Sequence, residues 1–150
     1  MILPLLLAAA LAPAPPAETP EAFVDRLYAA YRDPDFSPLA RPDRVFAPPL
    51  VAAIREDQRL SREEVGFMDA DPLCQCQDPA GLNPLVRQVE KPTNRAATAR
   101  ILLRFGGGDD RDLRLDLVRT SAGWRVADLG TADSPSMLAD LRRFNRRRRR

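Results

Sequence analysis

Histidine is absent from the 150 residues of the chain, and cysteine occurs only twice. Without an imidazole, the chain cannot build a Ser-His-Asp triad, a Cys-His pair or a His-ligated zinc or iron centre. The glycines at 106–108 lack the following Lys-Ser/Thr pair of a phosphate-binding loop, and no dinucleotide fingerprint occurs. We therefore predict no catalytic residue, no metal site and no cofactor, and the sequence names no substrate.

Basic side chains are unevenly distributed along the chain. The formal net charge of +2 is the balance of 23 basic and 21 acidic side chains. Seven of the basic ones are arginines in the last nine residues, RRFNRRRRR, which leaves 16 basic and all 21 acidic side chains in residues 1–141. The folded part is thus mildly acidic, which makes nucleic acid a poor partner.

The arginine-rich C-terminus has two interpretations. Five consecutive arginines cannot pack against one another, which predicts a disordered, solvated tail over residues 145–150. Alternatively, a polybasic segment gains free energy beside an anionic membrane surface, so the tail would bind such a surface.

The N-terminus begins with an unbroken apolar run, MILPLLLAAALA, followed by a proline-rich stretch. About twelve apolar residues match the core of a signal peptide and fall short of the roughly 20 that span a bilayer. Residues 1–17 are therefore predicted to be a signal peptide, cut after Ala10, and its leader, and the protein to be periplasmic or secreted. An uncleaved anchor is the alternative, because the basic residues that usually precede such a run are missing.

The remaining residues predict one α+β domain over 18–144. Helix-starting signals occur at Thr19-Pro20-Glu21, at the APPL stretch 47–50 and at Ser134-Pro135. Tyr28 and Tyr31 lie on the apolar stripe of the first helix, which favours core or pocket lining. Between the helices, residues 83–130 alternate apolar and polar with a period of two, which predicts a meander of about four antiparallel strands.

Four short motifs occur in an order that resembles a known family. YAAY ends the first helix, DPLCQCQD follows, VRT and GWRVADLG lie in the strand region, and SPSMLADL closes the chain. This order resembles the exported bacterial proteins grouped as domain of unknown function 3828. The resemblance covers about residues 20–143. It implies an exported location and a cystatin-like, nuclear-transport-factor-two-like cone, in which helices line a curved antiparallel sheet. It implies no catalytic residues.

Some proteins on this cone are enzymes that place a few polar groups in an apolar pocket. In this chain Arg87 shares the alternation of Leu85 and Val89, and Asp128 shares that of Trp124. An Arg87–Asp128 pair at the rim of a pocket is the candidate for acid–base work, and a rim salt bridge is the alternative. The other strand residues predicted to face inward are all apolar: Ala97, Ala99, Ile101, Leu103, Leu113, Leu115, Leu117, Trp124 and Val126.

Both cysteines, Cys74 and Cys76, lie in the stretch DPLCQCQDPAGL, the cysteine loop (residues 71–82). Two thiols without histidine cannot complete a four-ligand zinc site, and one intervening residue is too few for a C-x-x-C redox motif. In an oxidising compartment the two cysteines would pair, although their separation requires a tight local turn. Two free buried thiols, and soft-metal or intermolecular use, are the alternatives.

These observations predict an exported, non-catalytic binding or interaction module whose partner is an unknown small molecule or protein. One alternative is a cone-pocket enzyme that uses carboxylate acid–base chemistry. The other is an inhibitor or immunity-type protein that blocks a partner.

Overall fold

The computed structural model describes residues 18–61, 64–108 and 110–150. The predicted signal peptide and leader at 1–17 lie outside the described residues. The helices and strands occur in the following order: α1 (Pro20–Ala29), a 3₁₀ turn (Ala30–Arg32), α2 (Pro42–Val45), α3 (Pro48–Leu60), β1 (Asn83–Thr93), β2 (Ala96–Arg104), β3 (Arg111–Thr120), β4 (Gly123–Gly130) and α4 (Met137–Arg148).

The first helix begins as the sequence predicts. The Thr19 hydroxyl accepts a hydrogen bond from the amide of Ala22 at 3.2 Å, and Pro20 occupies the first turn. Phe23 and Leu27 are buried on the face that packs into the core. A second anchor lies just before the helix, where the Trp124 indole N–H of β4 donates to the Glu18 carbonyl at 3.0 Å. This bond joins positions 106 residues apart in sequence.

The four strands form one antiparallel sheet in the order β1-β2-β3-β4, so every pair of neighbours is also consecutive in the chain. The α+β class, with helices before an open sheet and a helix after it, is confirmed. The inward alternation of β2, β3 and the start of β4 is also confirmed, because all nine predicted residues are at most 3% exposed. They form a single core with side chains of α1, α3 and α4.

Both outer strands contain a β-bulge. In β1 the pairing with β2 shifts between Val86 and Gln88, so Arg87 is the extra residue. In β4 the pairing with β3 shifts between Val126 and Asp128, so Ala127 is the extra residue. A bulge inverts the alternation of every residue beyond it. The two edges of the sheet therefore depart from a strict period of two.

The edges of the sheet are protected in different ways. At β4, the amide of Ala47 before α3 donates to the Val126 carbonyl at 2.8 Å, which occupies part of that edge. At β1, Pro84 and Pro92 lie within the strand, and proline cannot donate to a further strand. Both devices oppose pairing of the sheet with another chain.

The C-terminal helix is longer than the sequence predicts. The tail was expected to be disordered from residue 145, whereas α4 continues through Arg148. Asn145 is 2% exposed and donates through Nδ2 to the Ala53 carbonyl of α3 at 2.9 Å. Arg148 forms an ion pair with Glu64 at 2.5 Å. These contacts hold the last turn against the domain. Within the described part of the chain, no helix has the length and apolar character needed to cross a membrane.

Adjacent residues of β2 test the two faces of the sheet. Replacing Leu103, which is fully buried, with Asp would place a charge in the core and lower the free energy of unfolding by several kcal/mol. Replacing the exposed Arg104 with Asp should change it by no more than about 0.5 kcal/mol. Urea denaturation of both variants measures the difference, and equal midpoints would contradict the assigned faces.

Candidate functional site: the cysteine loop and its cleft

The cysteine loop begins with a tight turn between Asp71 and Cys76. Their backbones pair in both directions, with N–O distances of 2.9 and 3.4 Å. Gln75 adopts a left-handed backbone with φ of 55°, which is uncommon for a residue other than glycine. Its side-chain amide donates to the Pro72 carbonyl at 2.6 Å, and the Arg111 guanidinium donates to its carbonyl. The turn therefore has a defined conformation with its own hydrogen bonds.

A disulfide joins Cys74 and Cys76 across this turn. Their Cα atoms lie 5.2 Å apart, within the usual range for disulfides. The left-handed residue between them supplies the local turn that pairing at this short separation requires. Cys74 is fully buried and Cys76 is partly exposed.

Two tyrosines at the end of the first helical segment hold the turn against the domain. Tyr28 donates its buried hydroxyl to the Leu73 carbonyl at 3.0 Å, and Tyr31 donates to Oδ2 of Asp71 at 2.7 Å. The other carboxylate oxygen of Asp71 accepts from the Leu73 amide at 2.8 Å. The YAAY and DPLCQCQD motifs are thus in direct contact, although they are 40 or more residues apart.

Burial determines the electrostatics of these groups. It raises the pKa of the Asp71 carboxyl above its ordinary value, while the hydrogen bond from Tyr31 partly opposes that change. Burial also raises the pKa of the Tyr28 and Tyr31 hydroxyls, and the charge of Asp71 adds to the effect. Both phenols therefore keep their protons at neutral pH and remain donors to the loop.

The structure does not bring Arg87 and Asp128 together. They lie on β1 and β4, the outermost strands, and three strand spacings amount to about 14 Å. Arg87 is the bulge residue, and its exposed side chain lies 3.7 Å from the Asp112 carboxylate. The predicted face of Arg87 is therefore wrong, since Leu85 is 44% exposed while Val89 packs against the core.

The carboxylate of Asp128, on β4, binds the start of α4. The β4 bulge places it opposite Asp116 and gives the buried phase to Leu129, so its predicted alternation with Trp124 is wrong. Its carboxylate accepts from the Ser136 hydroxyl at 2.5 Å and from the Leu138 amide at 2.9 Å. It thereby satisfies an amide of the first turn of α4 that has no partner within the helix.

Sequence reasoning missed a second buried carboxylate. Asp57 on α3 is 2% exposed and accepts from the amides of Phe67 and Met68, each at 3.0 Å. The sequence does contain a signal for this burial, because Asp57 lies on the same side of α3 as the apolar residues of that helix. Because both oxygens accept backbone hydrogen bonds, Asp57 fixes the segment that leads into the cysteine loop.

A cleft of about 630 Å³ lies beside the cysteine loop. We call it the tyrosine cleft: its walls are α1 and the 3₁₀ turn on one side and residues 78–84 on the other, and Tyr28 and Tyr31 contribute to it. A smaller recess of about 220 Å³ lies next to Asp71 and Met137. The turn at 71–76 borders the recess, whereas the tyrosine cleft is lined by the residues that follow the turn, 78–84.

Four exposed polar side chains line the tyrosine cleft, and Asp78 among them accepts a hydrogen bond from the Ala80 amide. The other three are Asp25, Arg32 and Asn83. None of them forms a side-chain hydrogen bond or ion pair with a residue that the structure describes. They are available to a bound molecule. Among the described residues, no three His, Cys, Asp or Glu side chains are grouped so as to hold a metal ion.

No family model, curated protein or solved structure matches the chain. The resemblance to domain of unknown function 3828 stays a prediction.

The disulfide can be tested by counting thiols. The oxidised protein should show no free thiol in denaturant and two after reduction. The double variant Cys74→Ser, Cys76→Ser should lose no more than about 2 kcal/mol in free energy of unfolding, because the enclosed chain segment is very short. Two reactive thiols in the untreated protein would contradict the bond.

The raised pKa of Asp71 predicts a dependence of stability on pH. As pH rises above 3.8, the unfolded state releases the proton before the folded state does, so folding becomes less favourable. The unfolding free energy of wild type relative to Asp71→Asn should therefore fall from pH 4 to pH 8. Tyr31→Phe removes a bond that favours the ionised carboxylate, so this variant should show a steeper fall. A constant difference would contradict the assignment.

Proposed function

We propose that the protein is an exported, non-catalytic module that binds a small molecule in the tyrosine cleft. The observation that carries the proposal is a cleft of about 630 Å³ between two tyrosines, whose hydroxyls are held by hydrogen bonds, and the residues that follow the disulfide-linked turn. Pockets for small molecules commonly enclose about 300–1,000 Å³. The size suits a small molecule or a few residues of a peptide, and we favour the former.

A fixed wall lowers the cost of binding. A ligand that must order a loop loses part of its binding free energy to that ordering. Here the turn at 71–76 already has backbone pairing and a contact from Arg111. The turn is not part of the cleft lining, but it gives the cleft wall at 78–84 an ordered starting point.

The residues of the cleft indicate the chemistry of its ligand. Asp25 and Asp78 supply carboxylates, Arg32 supplies a guanidinium, and Asn83 supplies an amide. Tyrosine and proline side chains contribute apolar surface between them. A polar or zwitterionic molecule with a flat apolar portion matches this arrangement better than a simple anion does.

The packing of the sheet supports a site outside the core. In cone-type enzymes the pocket lies between sheet and helices. In this chain that space is filled by apolar side chains, and Leu73 of the cysteine loop is fully buried among them. A ligand would therefore sit beside the helical layer.

Export rests on the N-terminal apolar run and on the pairing of the cysteines, since disulfides persist in oxidising compartments. The contact between YAAY and DPLCQCQD supports the proposed family resemblance, because two of its motifs form one structural unit.

A second candidate function is carboxylate acid–base catalysis centred on Asp71. The observation that favours it is a partly buried carboxyl with a raised pKa, hydrogen-bonded to a tyrosine and bordering the smaller recess. Binding is the stronger proposal, because both carboxylate oxygens already accept hydrogen bonds from the chain.

Two exposed alanines of α1 offer a matched test. Ala29 lines the tyrosine cleft, and Ala22 lies two turns earlier, outside it. Native mass spectrometry of protein from its own host should show a bound small molecule in wild type and in Ala22→Trp. Ala29→Trp should lose that mass, because an indole occupies the cleft.

The same spectra report on export, since the mature chain should lack at least its first ten residues. Retention of the ligand by Ala29→Trp would exclude this cleft as the site. Absence of any ligand from wild type would contradict small-molecule binding. Conversion of the released ligand by wild type, but not by Asp71→Asn, would favour the enzyme over the binding module.

A further inference from the structure

The two faces of α4 have opposite chemistry. Met137, Leu141 and Asn145 are at most 6% exposed and pack against the domain. The opposite side carries only arginine among its exposed residues from 142 onward. We call it the arginine face, and it consists of Arg142, Arg143, Arg146, Arg147, Arg149 and Arg150.

The helix places these side chains close together. At 3.6 residues per turn and 1.5 Å per residue, the four of them within α4 occupy an arc of about 140° and a length of about 7.5 Å, and Arg149 and Arg150 directly follow the helix. Arg143 pairs with Asp140, and Arg149 pairs with Glu56. The other four form no ion pair with any residue in the described part of the chain: Arg142, Arg146, Arg147 and Arg150.

Holding this array in place costs free energy. Like charges four residues apart repel along a helix, as at Arg142 and Arg146. The helix dipole favours cations only in the last turn. The array persists because the buried face, the Asn145 bond to Ala53 and the Arg148–Glu64 pair fix the helix. A surface of opposite charge would relieve the repulsion without a structural change.

The distribution of charge also orients the molecule. Residues 142–150 carry seven basic and no acidic side chains, whereas residues 1–141 carry 16 basic and 21 acidic ones. An anionic surface therefore attracts one end of the domain and repels the rest. This asymmetry favours an extended anionic plane over a small ligand, which would experience only local charges.

We propose that the arginine face docks onto anionic phospholipid headgroups. Each guanidinium offers paired N–H groups that match the oxygens of a phosphate, and the face is a convex helix side that can lie along a plane. The choice of lipid over nucleic acid rests on the predicted export. The docking proposal does not depend on the tyrosine cleft.

The structure also determines the mode of docking. Met137 and Leu141 of α4 belong to the core, Leu138 packs against it, and the half-buried Phe144 contacts Phe67, so the apolar side of α4 already packs within the domain. This differs from an amphipathic helix whose apolar face inserts between lipids. Binding through the arginine face is therefore electrostatic, peripheral and reversible by salt.

Sedimentation with lipid vesicles tests the proposal. At 50 mM NaCl the full chain should bind vesicles of equal phosphatidylglycerol and phosphatidylcholine, and vesicles of phosphatidylcholine alone should not retain it. Raising NaCl to 500 mM should weaken partitioning at least about tenfold, because exposed charges are then screened. Retention at high salt, or equal binding to neutral vesicles, would overturn the electrostatic mode.

A matched pair of quadruple variants locates the surface. Arg142→Gln, Arg146→Gln, Arg147→Gln and Arg150→Gln remove the four unpaired charges and should weaken partitioning at least about tenfold. The control changes four exposed arginines outside α4 that have no ion pair with a described residue, and its partitioning should stay within about twofold: Arg41→Gln, Arg44→Gln, Arg95→Gln and Arg100→Gln.

Both variants lose the same charge and keep the same N-terminus, so neither net charge nor the apolar run can explain a difference between them. Unchanged helical circular dichroism confirms that the first variant keeps α4. Equal loss in both would overturn the proposal. The proposal would also be overturned if poly-glutamate or a short DNA duplex, added at the same total charge as the lipid, released the bound protein. The arginine face would then bind another polyanion as well as it binds lipid.

Discussion

The hydroxyl groups of Tyr28 and Tyr31 determine how the middle of the chain meets the first helix. They bind the Leu73 carbonyl and the Asp71 carboxylate, which lie 45 and 40 residues further along. The Leu73 carbonyl is remote from water, so without its donor it would remain an unsatisfied acceptor at a cost of about 1–3 kcal/mol. The position of the disulfide-linked turn, which leads into the cleft wall at 78–84, depends on these two bonds.

The turn at 71–76 fills part of the interior and also borders open space at the surface, so it affects where a ligand can bind. Leu73 and Cys74 help to fill the space between sheet and helices, which closes the interior. Outside the core, the turn borders the smaller recess and leads into the residues that line the larger cleft. A chain with few polar groups in its core thus has its polar concave surface between the outer side of α1 and a loop, where Asp25 and Arg32 have no side-chain partner among the described residues.

Period-two alternation was sufficient to predict the buried faces of β2 and β3, because each strand has one face in the core and no irregularity. Alternation gave the wrong face for Arg87 and Asp128, because a β-bulge in each outer strand inverts the order of buried and exposed residues. Neither bulge residue, Arg87 or Ala127, is of a type that signals a bulge in the sequence. The arginine-rich end was misjudged for a related reason. The prediction of a disordered tail rested on the number of arginines and ignored which side of a helix each residue would occupy. Asn145 lies on the same buried side of α4 as Leu141. The tyrosines were placed correctly on a buried face, but partners so distant in sequence leave no local signal.

The bond from Trp124 to the Glu18 carbonyl has a consequence for the order of folding. The sheet grows between consecutive strands, and such near-neighbour contacts close small loops at low entropic cost. The start of α1, in contrast, waits for a partner 106 residues downstream. The start of α1 therefore lacks this anchor until β4 has taken its place in the sheet, so the complete core forms only after the sheet.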